Sequence, residues 1–195
     1  ASNGLFALGY GAKQAGIAGS GVAFPQDALI ASLNPAGVVF VGEQNNISLQ
    51  FFSPHRSYDV DGPIEVNGIP IPGKNVESDS EIFFIPSLGF SRPISPNASI
   101  GLAIYGNGGM NTDYASHDTP FGMGTFGADH TGVNYAQIFT NLNYSRKFAD
   151  GTASWGIGAV LNYSYLRMNG LDNFAPMSSD PSNLSNNGYD YAVGF

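Results

Sequence analysis

Cysteine is absent from this 195-residue chain, and charge is scarce: Asp, Glu, Lys and Arg together make up 11%. Without Cys, thiol catalysis, thiolate zinc sites and a disulfide framework are excluded. An ordinary soluble domain carries roughly 25% charged residues. Lys and Arg number only 7, against 15 acidic residues and a net charge of −8, and Arg146-Lys147 is the single adjacent basic pair. Phosphate recognition calls for clustered Lys and Arg, so nucleic acid is not an expected partner. A run of ~18 consecutive apolar residues is also lacking, so a transmembrane helix is not expected.

What is present is glycine, at 26 residues, and aromatic side chains, at 13%. Low charge without a helical span points to a closed barrel, whose strands place apolar side chains at every second position. Residues 1–44 differ from the rest. They are rich in Gly and small residues, do not alternate, and read as a compact irregular segment that packs by close backbone approach.

From residue 46 the period becomes two. Ile47, Leu49 and Phe51 face away from Ser48 and Gln50. Ile82, Phe84, Leu88 and Phe90 oppose Ser87, Gly89 and Ser91. Ile100, Leu102 and Ile104 oppose Ser99, Gly101 and Ala103. Ala136, Ile138, Leu142 and Tyr144 oppose Gln137, Asn141 and Asn143. A fifth run carries Trp155, Ile157, Ala159, Leu161, Tyr163 and Tyr165, and a sixth begins at Tyr189. The alternation predicts strands with one apolar face and one small or polar face.

Two features separate a membrane barrel from a soluble sandwich. Trp155 and Tyr165 bracket the fifth strand, a span of roughly 23 Å at ordinary strand rise and barrel tilt, close to an outer-membrane apolar band of about 25 Å. Short connections (93–97, 148–152) also alternate with long ones (54–80, 106–130, 167–187), as periplasmic turns alternate with extracellular loops. A soluble secreted β-sandwich also alternates, but its outward face is usually charged. Here the opposite face is Gly, Ser, Asn and Gln.

Five strands and the start of a sixth are fewer than the ~8 of the smallest single-chain barrels. The chain is therefore expected to be part of a longer protein. Its start at Ala1-Ser2 fits a processed N-terminus.

The N-terminal segment resembles the FadL-type long-chain fatty acid transporters, a family that includes aromatic-hydrocarbon uptake porins. The resemblance runs through Gly11-Ala12-Lys13-Gln14-Ala15-Gly16, then Gly19-Ser20-Gly21-Val22-Ala23-Phe24-Pro25-Gln26-Asp27, to Ser32-Leu33-Asn34-Pro35-Ala36-Gly37. The Asn34-Pro35-Ala36 step shortly before the first strand is its most specific part, and the chain would cover under half of a member. The resemblance implies an all-β fold: a 14-stranded antiparallel transmembrane β-barrel, about five to six strands of it present here, plugged by an N-terminal hatch. Residues 1–44 would be the hatch and 45–195 the first strands of the incomplete barrel.

It further implies uptake of hydrophobic small molecules, long-chain fatty acids or hydrocarbons, through a hatch-lined pocket and a lateral opening at an inward kink of the third strand. The matching kink position is Gly106-Asn107-Gly108-Gly109. Gly106, Gly108 and Gly109 permit a bulge there; read without the family they mark a Gly-rich turn at the strand's end. Leu5 and Phe6 lie where the family's N-terminus reaches the ligand. The hatch motif Asn34, Pro35 and Ala36 is also explained by turn chemistry alone. Met168, Leu171 and Phe174 fall in a loop matching one beside the family's outer groove, where exposed apolar residues mark a landing site or pack on other loops.

The expected setting is the bacterial outer membrane, with its lipid and lipopolysaccharide as surroundings and a monomeric barrel. No enzyme activity or cofactor is expected. His55, His117 and His130 are scattered, no calcium loop is complete after Asp59-Val60-Asp61-Gly62, and no nucleophile elbow is present. A general porin or structural outer-membrane barrel is the alternative.

Overall fold

A computed structural model describes residues 6–62, 64–66, 69–71, 74–115, 130–170 and 187–194. The N-terminal segment holds helix α1 (Gly11–Gly16), two 3-10 turns (Ala28–Ser32 and Pro35–Gly37) and helix α2 (Val38–Val41). The strands are β1 (Gln44–Phe52), β2 (Ser57–Val60), β3 (Ile64–Val66), β4 (Ile69–Ile71), β5 (Lys74–Glu77), β6 (Phe83–Ser95), β7 (Ala98–Ala115), β8 (His130–Lys147), β9 (Ser154–Asn169) and β10 (Asn187–Gly194). Six of them form one antiparallel meander in the order β1-β6-β7-β8-β9-β10. Among the described residues no helix is long and apolar enough to cross a membrane.

The six alternating runs of the sequence all lie in this sheet, but their extents differ from expectation. β7 does not end at Tyr105: it runs on to Ala115, paired with β8 from His130 onward. The expected 106–130 loop is correspondingly shorter. The connection 54–80 is no plain loop either, since β2 pairs with β5 and β3 with β4 inside it. Pro93–Ser95 belong to β6, leaving Pro96-Asn97 as the turn before β7. Met168, expected in a loop, sits within β9 opposite Val133. The physical reason is common to these cases. A ladder is built from backbone groups, so pairing with a long neighbour carries a strand past the point where its side chains stop alternating.

The two faces of the sheet are occupied in an unusual sense. The small and polar face is the buried one: Ser91, Ala103 and Ser145 are fully covered, and Asn143 is 3% exposed. The apolar face is open, with Ile47 82%, Phe84 63% and Ile157 61% exposed.

The N-terminal segment covers the small face. Asp27 caps the first 3-10 turn by accepting from Leu29 N at 3.0 Å. That turn presents Leu29, Ile30 and Ala31, which join Val38, Ala103 and Tyr105 in the core. Small strand residues are needed there because backbone meets backbone: a Cβ on Gly89 would stand 2.9 Å from Leu29 N. Amides complete the contact, Asn143 Nδ2 donating to Ala31 O at 2.9 Å and Asn141 Nδ2 to the same carbonyl at 3.3 Å. These bonds satisfy a carbonyl that the short turn leaves without a helical partner.

Candidate functional site

The site lies where the N-terminal segment meets an interruption in the sheet. The β6–β7 ladder stops at Ser87↔Tyr105. Beyond it, β6 continues to pair with β1 as far as Phe52↔Phe83, and β7 continues with β8 as far as Ala115↔His130. Both strands thus carry on, but no longer with each other. The next residue of β6 is Pro86, which has no N–H to donate to a ladder. The next residue of β7 is Gly106, and a bulge follows at once.

That bulge is visible in the β7–β8 register. Gly106 faces Ile138 and Gly108 faces Gln137, leaving Asn107 as the extra residue. A bulge bends its strand and takes one residue's backbone out of the ladder. The interruption is closed at its far end by the β5–β6 connection. Asp79 N donates to Asp113 O at 2.8 Å, and Asp113 N donates to Ser78 Oγ at 3.0 Å.

Residues 7–15 sit against the interruption. Tyr10 precedes α1, and its N–H donates to Gln14 Oε1 at 3.1 Å, tightening the first turn. The Tyr10 ring packs on Tyr105 with centroids 4.0 Å apart, and Tyr105 stacks on Phe139 at 5.8 Å. The Tyr10 hydroxyl donates to Asn107 Oδ1, and Ala7 N donates to Asn107 O at 2.9 Å. Burial of the Tyr10 phenol raises its pKa above 10.0, since the charged form is the harder to desolvate.

A cavity of about 210 Å³ opens between these parts. The N-terminal segment lines it with Ala7, Tyr10 and Ala15, β1 with Ser48 and Gln50, β6 with Ile85, and β7 with Gly106. None of its lining residues carries a charge. Space at Gly106 is limited, because a Cβ there would approach Ile85 Cγ2 to 2.8 Å. The arrangement suits an apolar guest with a few weak polar contacts from Tyr10, Ser48, Gln50 and Ser87.

The expected site residues are distributed unevenly around this cavity. Gly106 lines it, and Gly108 and Gly109 continue β7 beyond the bulge rather than forming a turn. Phe6 is 58% exposed and is not a lining residue, whereas its neighbour Ala7 is. Leu5, Leu171 and Phe174 lie outside the described residues, as does His117. Met168 is held in the β9 ladder.

Asn34, Pro35 and Ala36 lie away from the cavity, against β9. Asn34 caps the second 3-10 turn by accepting from Ala36 N at 3.1 Å, and its amide donates to Val22 O at 2.9 Å. Ser154 Oγ then donates to Ala36 O at 2.7 Å. The motif anchors the segment to the sheet. Among the described residues no three His, Asp or Glu side chains converge on a point. His130 Nδ1 pairs with Asp113 Oδ1 at 3.0 Å across the β7–β8 ladder, and His55 pairs with Glu81 at 3.2 Å.

Tyr10, Tyr105 and Pro86 were not singled out from the sequence, and Asn107 only as a member of the kink segment 106–109. Signals for two of them were present. Tyr105 puts a large ring on a face otherwise made of Ser99, Gly101 and Ala103, and Pro86 stands inside an alternating run. Compared with known proteins, the chain matches no protein-family model and no curated protein sequence.

Proposed function

We infer that the six-stranded sheet is part of the wall of a transmembrane β-barrel in a bacterial outer membrane, with residues 1–44 as its hatch. On this reading the barrel takes up hydrophobic small molecules, long-chain fatty acids or hydrocarbons, without chemistry or a cofactor. The observation that carries the reading is the position of the uncharged cavity, between the N-terminal segment and the break in the β6–β7 ladder. A guest held there has a route sideways between strands, toward the open apolar face.

The inverted burial of the sheet supports a lipid-facing wall. In water, leaving a large apolar side chain exposed forgoes about 1.5–3 kcal/mol relative to burial. Ile47, Phe84, Leu142, Ile157 and Leu161 all stand open on one face. Lipid removes that penalty, and the buried Ser, Gly and Asn face is then the interior, filled here by the N-terminal segment. Outer-membrane lipid and lipopolysaccharide are the surroundings this implies, and the sugar layer is the barrier such a channel bypasses.

The test is uptake and binding by the full-length protein. Labelled long-chain fatty acid and a labelled aromatic hydrocarbon are each offered to detergent-purified protein with and without residues 1–10, and to cells. Saturable binding that falls on truncation, which removes the cavity-lining Ala7 and Tyr10, is the expected result. Conductance of hydrophilic solutes with no hydrophobic uptake would replace this reading with a general porin.

A further inference from the structure

We propose that Arg167 and the amides beside it, on the open face of the sheet, seat the phosphorylated sugar headgroup of one lipopolysaccharide molecule. The proposal rests on the reading of that face as a lipid-facing barrel wall. It concerns the outside of the wall and is independent of the cavity and its guest.

Directly opposed residues of an antiparallel ladder share a face, and every second pair lies on the same one. From mid-strand toward the long connections, the open face of β8 and β9 carries Leu142 with Ala159, Thr140 with Leu161, Ile138 with Tyr163, Ala136 with Tyr165, and then Asn134 with Arg167. The chemistry changes in that order, from aliphatic to tyrosine to amide and guanidinium. The neighbouring strands extend two of these rows. Tyr191 of β10 stands opposite Tyr163, and Asn111 of β7 stands opposite Asn134. Interfacial aromatic side chains mark the edge of a barrel's apolar band, so the row beyond them lies at headgroup depth. Long connections emerge from the extracellular end of such a barrel. The headgroups met by this row are therefore those of the outer leaflet.

Charge and hydrogen-bonding capacity decide what fits there. Arg167 is the one charged side chain of the Asn111–Asn134–Arg167 row. Its Nε donates to Asn169 Oδ1 at 3.1 Å, which steadies the guanidinium at the strand end. Among the described residues it makes no ion pair. Asp113, one step beyond the row, is engaged with His130 at 3.0 Å. At the opposite end of the strands Arg92 already has a carboxylate, Glu43 at 3.2 Å. A guanidinium without a carboxylate keeps its planar fork for a phosphate, which it binds through two parallel N–H bonds. Side-chain amides both donate and accept, as the hydroxyls of a sugar require. An anion on a sugar, with acyl chains running down past the tyrosines, matches the row and the apolar face below it.

The test is a lipid titration of the full-length protein in detergent, stripped of co-purified lipopolysaccharide. The probes are the phosphorylated glycolipid anchor of lipopolysaccharide and the same glycolipid after removal of its phosphates. Native mass spectrometry counts adducts carrying one lipid. Arg167→Gln, Arg167→Lys and Arg146→Gln are compared with the parent. Arg146 stands opposite Trp155 at the other end of the strands and serves as the charge control. Saturable binding of the phosphorylated form is expected, weakened about tenfold by loss of the phosphates or by Arg167→Gln. Arg167→Lys should keep part of the affinity, because it keeps the charge and loses the fork. Arg146→Gln should bind as the parent does. Equal affinity for the two glycolipids, an unchanged affinity in Arg167→Gln, or an equal loss in Arg146→Gln overturns the proposal. So does full displacement of the lipid by inorganic phosphate at matching concentration, which would leave a site for the anion alone. The comparison of the two glycolipids needs no variant and so does not depend on how Arg167→Gln folds. Failure of the barrel-wall reading has a different signature: the parent does not insert into lipid vesicles.

Discussion

Gly156 of β9 lies directly against Ala36: a Cβ placed on it would stand 2.5 Å from Ala36 N and 2.6 Å from Pro35 C. The contact joins the Asn34-Pro35-Ala36 turn to the sheet, and the Ser154–Ala36 hydrogen bond next to it fixes the register. Gly156→Val is expected to force the turn off β9 at a cost of about 1–3 kcal/mol, the usual range for overpacking. Limited proteolysis of the folded protein checks this, with faster cleavage around residues 20–36 and an intact sheet as the expected pattern.

Asn143 and Asn141 both donate to Ala31 O. Asn143→Leu removes the shorter bond and puts a bulky apolar group where an amide fitted. The expected loss is about 1–3 kcal/mol, as for other disrupted buried hydrogen bonds. Thermal unfolding in detergent reads it, and an unchanged midpoint would mean that the N-terminal segment contributes nothing to stability through this contact.

Gly106 has room for little more than its own hydrogen before Ile85 is reached. Gly106→Leu is expected to fill the cavity mouth. Binding of a hydrophobic probe should weaken about tenfold or more, equivalent to at least ~1.4 kcal/mol. Assembly of the sheet should persist, because Gly106 has no β6 partner to lose. Equal probe affinity in the two proteins would place the binding site elsewhere.

The apolar face offers a test of the solvent it meets. Leu142 of β8, opposite Ala159, and Leu161 of β9 are exposed and stand near the middle of the Trp155–Tyr165 span. If that face meets lipid, Leu142→Lys costs about 2–4 kcal/mol at the bilayer midplane. If it meets water, the change lies within about 0.5 kcal/mol. Equilibrium unfolding from lipid vesicles separates the two, and near-neutral values for both Leu142→Lys and Leu161→Lys would sink the barrel-wall reading.

Tyr10 supplies a pH dependence with a definite sign. Burial raises its folded pKa above the unfolded value of 10.0, so the native state prefers the neutral phenol. Its contribution to docking the N-terminal segment is full below about pH 10. It is lost progressively as pH rises from there through the raised value. Accessibility of residues 7–15 to protease should therefore increase at alkaline pH, and Tyr10→Phe should flatten that rise. An identical alkaline rise in Tyr10→Phe would assign it to another group.

Much of the fold was legible because strand alternation is a local property. Ile47 against Ser48, or Ile157 against Gly158, announces a two-faced strand whatever surrounds it, and the short connections 93–97 and 148–152 put β6 beside β7 and β8 beside β9. The same alternation did not say which face would be covered, and did not reach 106–115, where Gly-Asn-Gly-Gly-Met reads as a strand end. Asn34-Pro35-Ala36 was legible as a rigid turn through the cap and the proline, but its dock on Ser154 and Gly156 was not.

The composition and the period of two by themselves determined that this chain forms strands with an apolar side and a small-residue side. Both follow from each residue's own chemistry and its near neighbours. Only the tertiary structure decided that residues 7–41 cover the small side, that the β6–β7 ladder stops at Ser87 and Tyr105, and that Asn107 finds its partners in Ala7 and Tyr10. The last of these joins groups 97 positions apart or more, and the ladder and its end are made by backbone groups, which are alike in every residue.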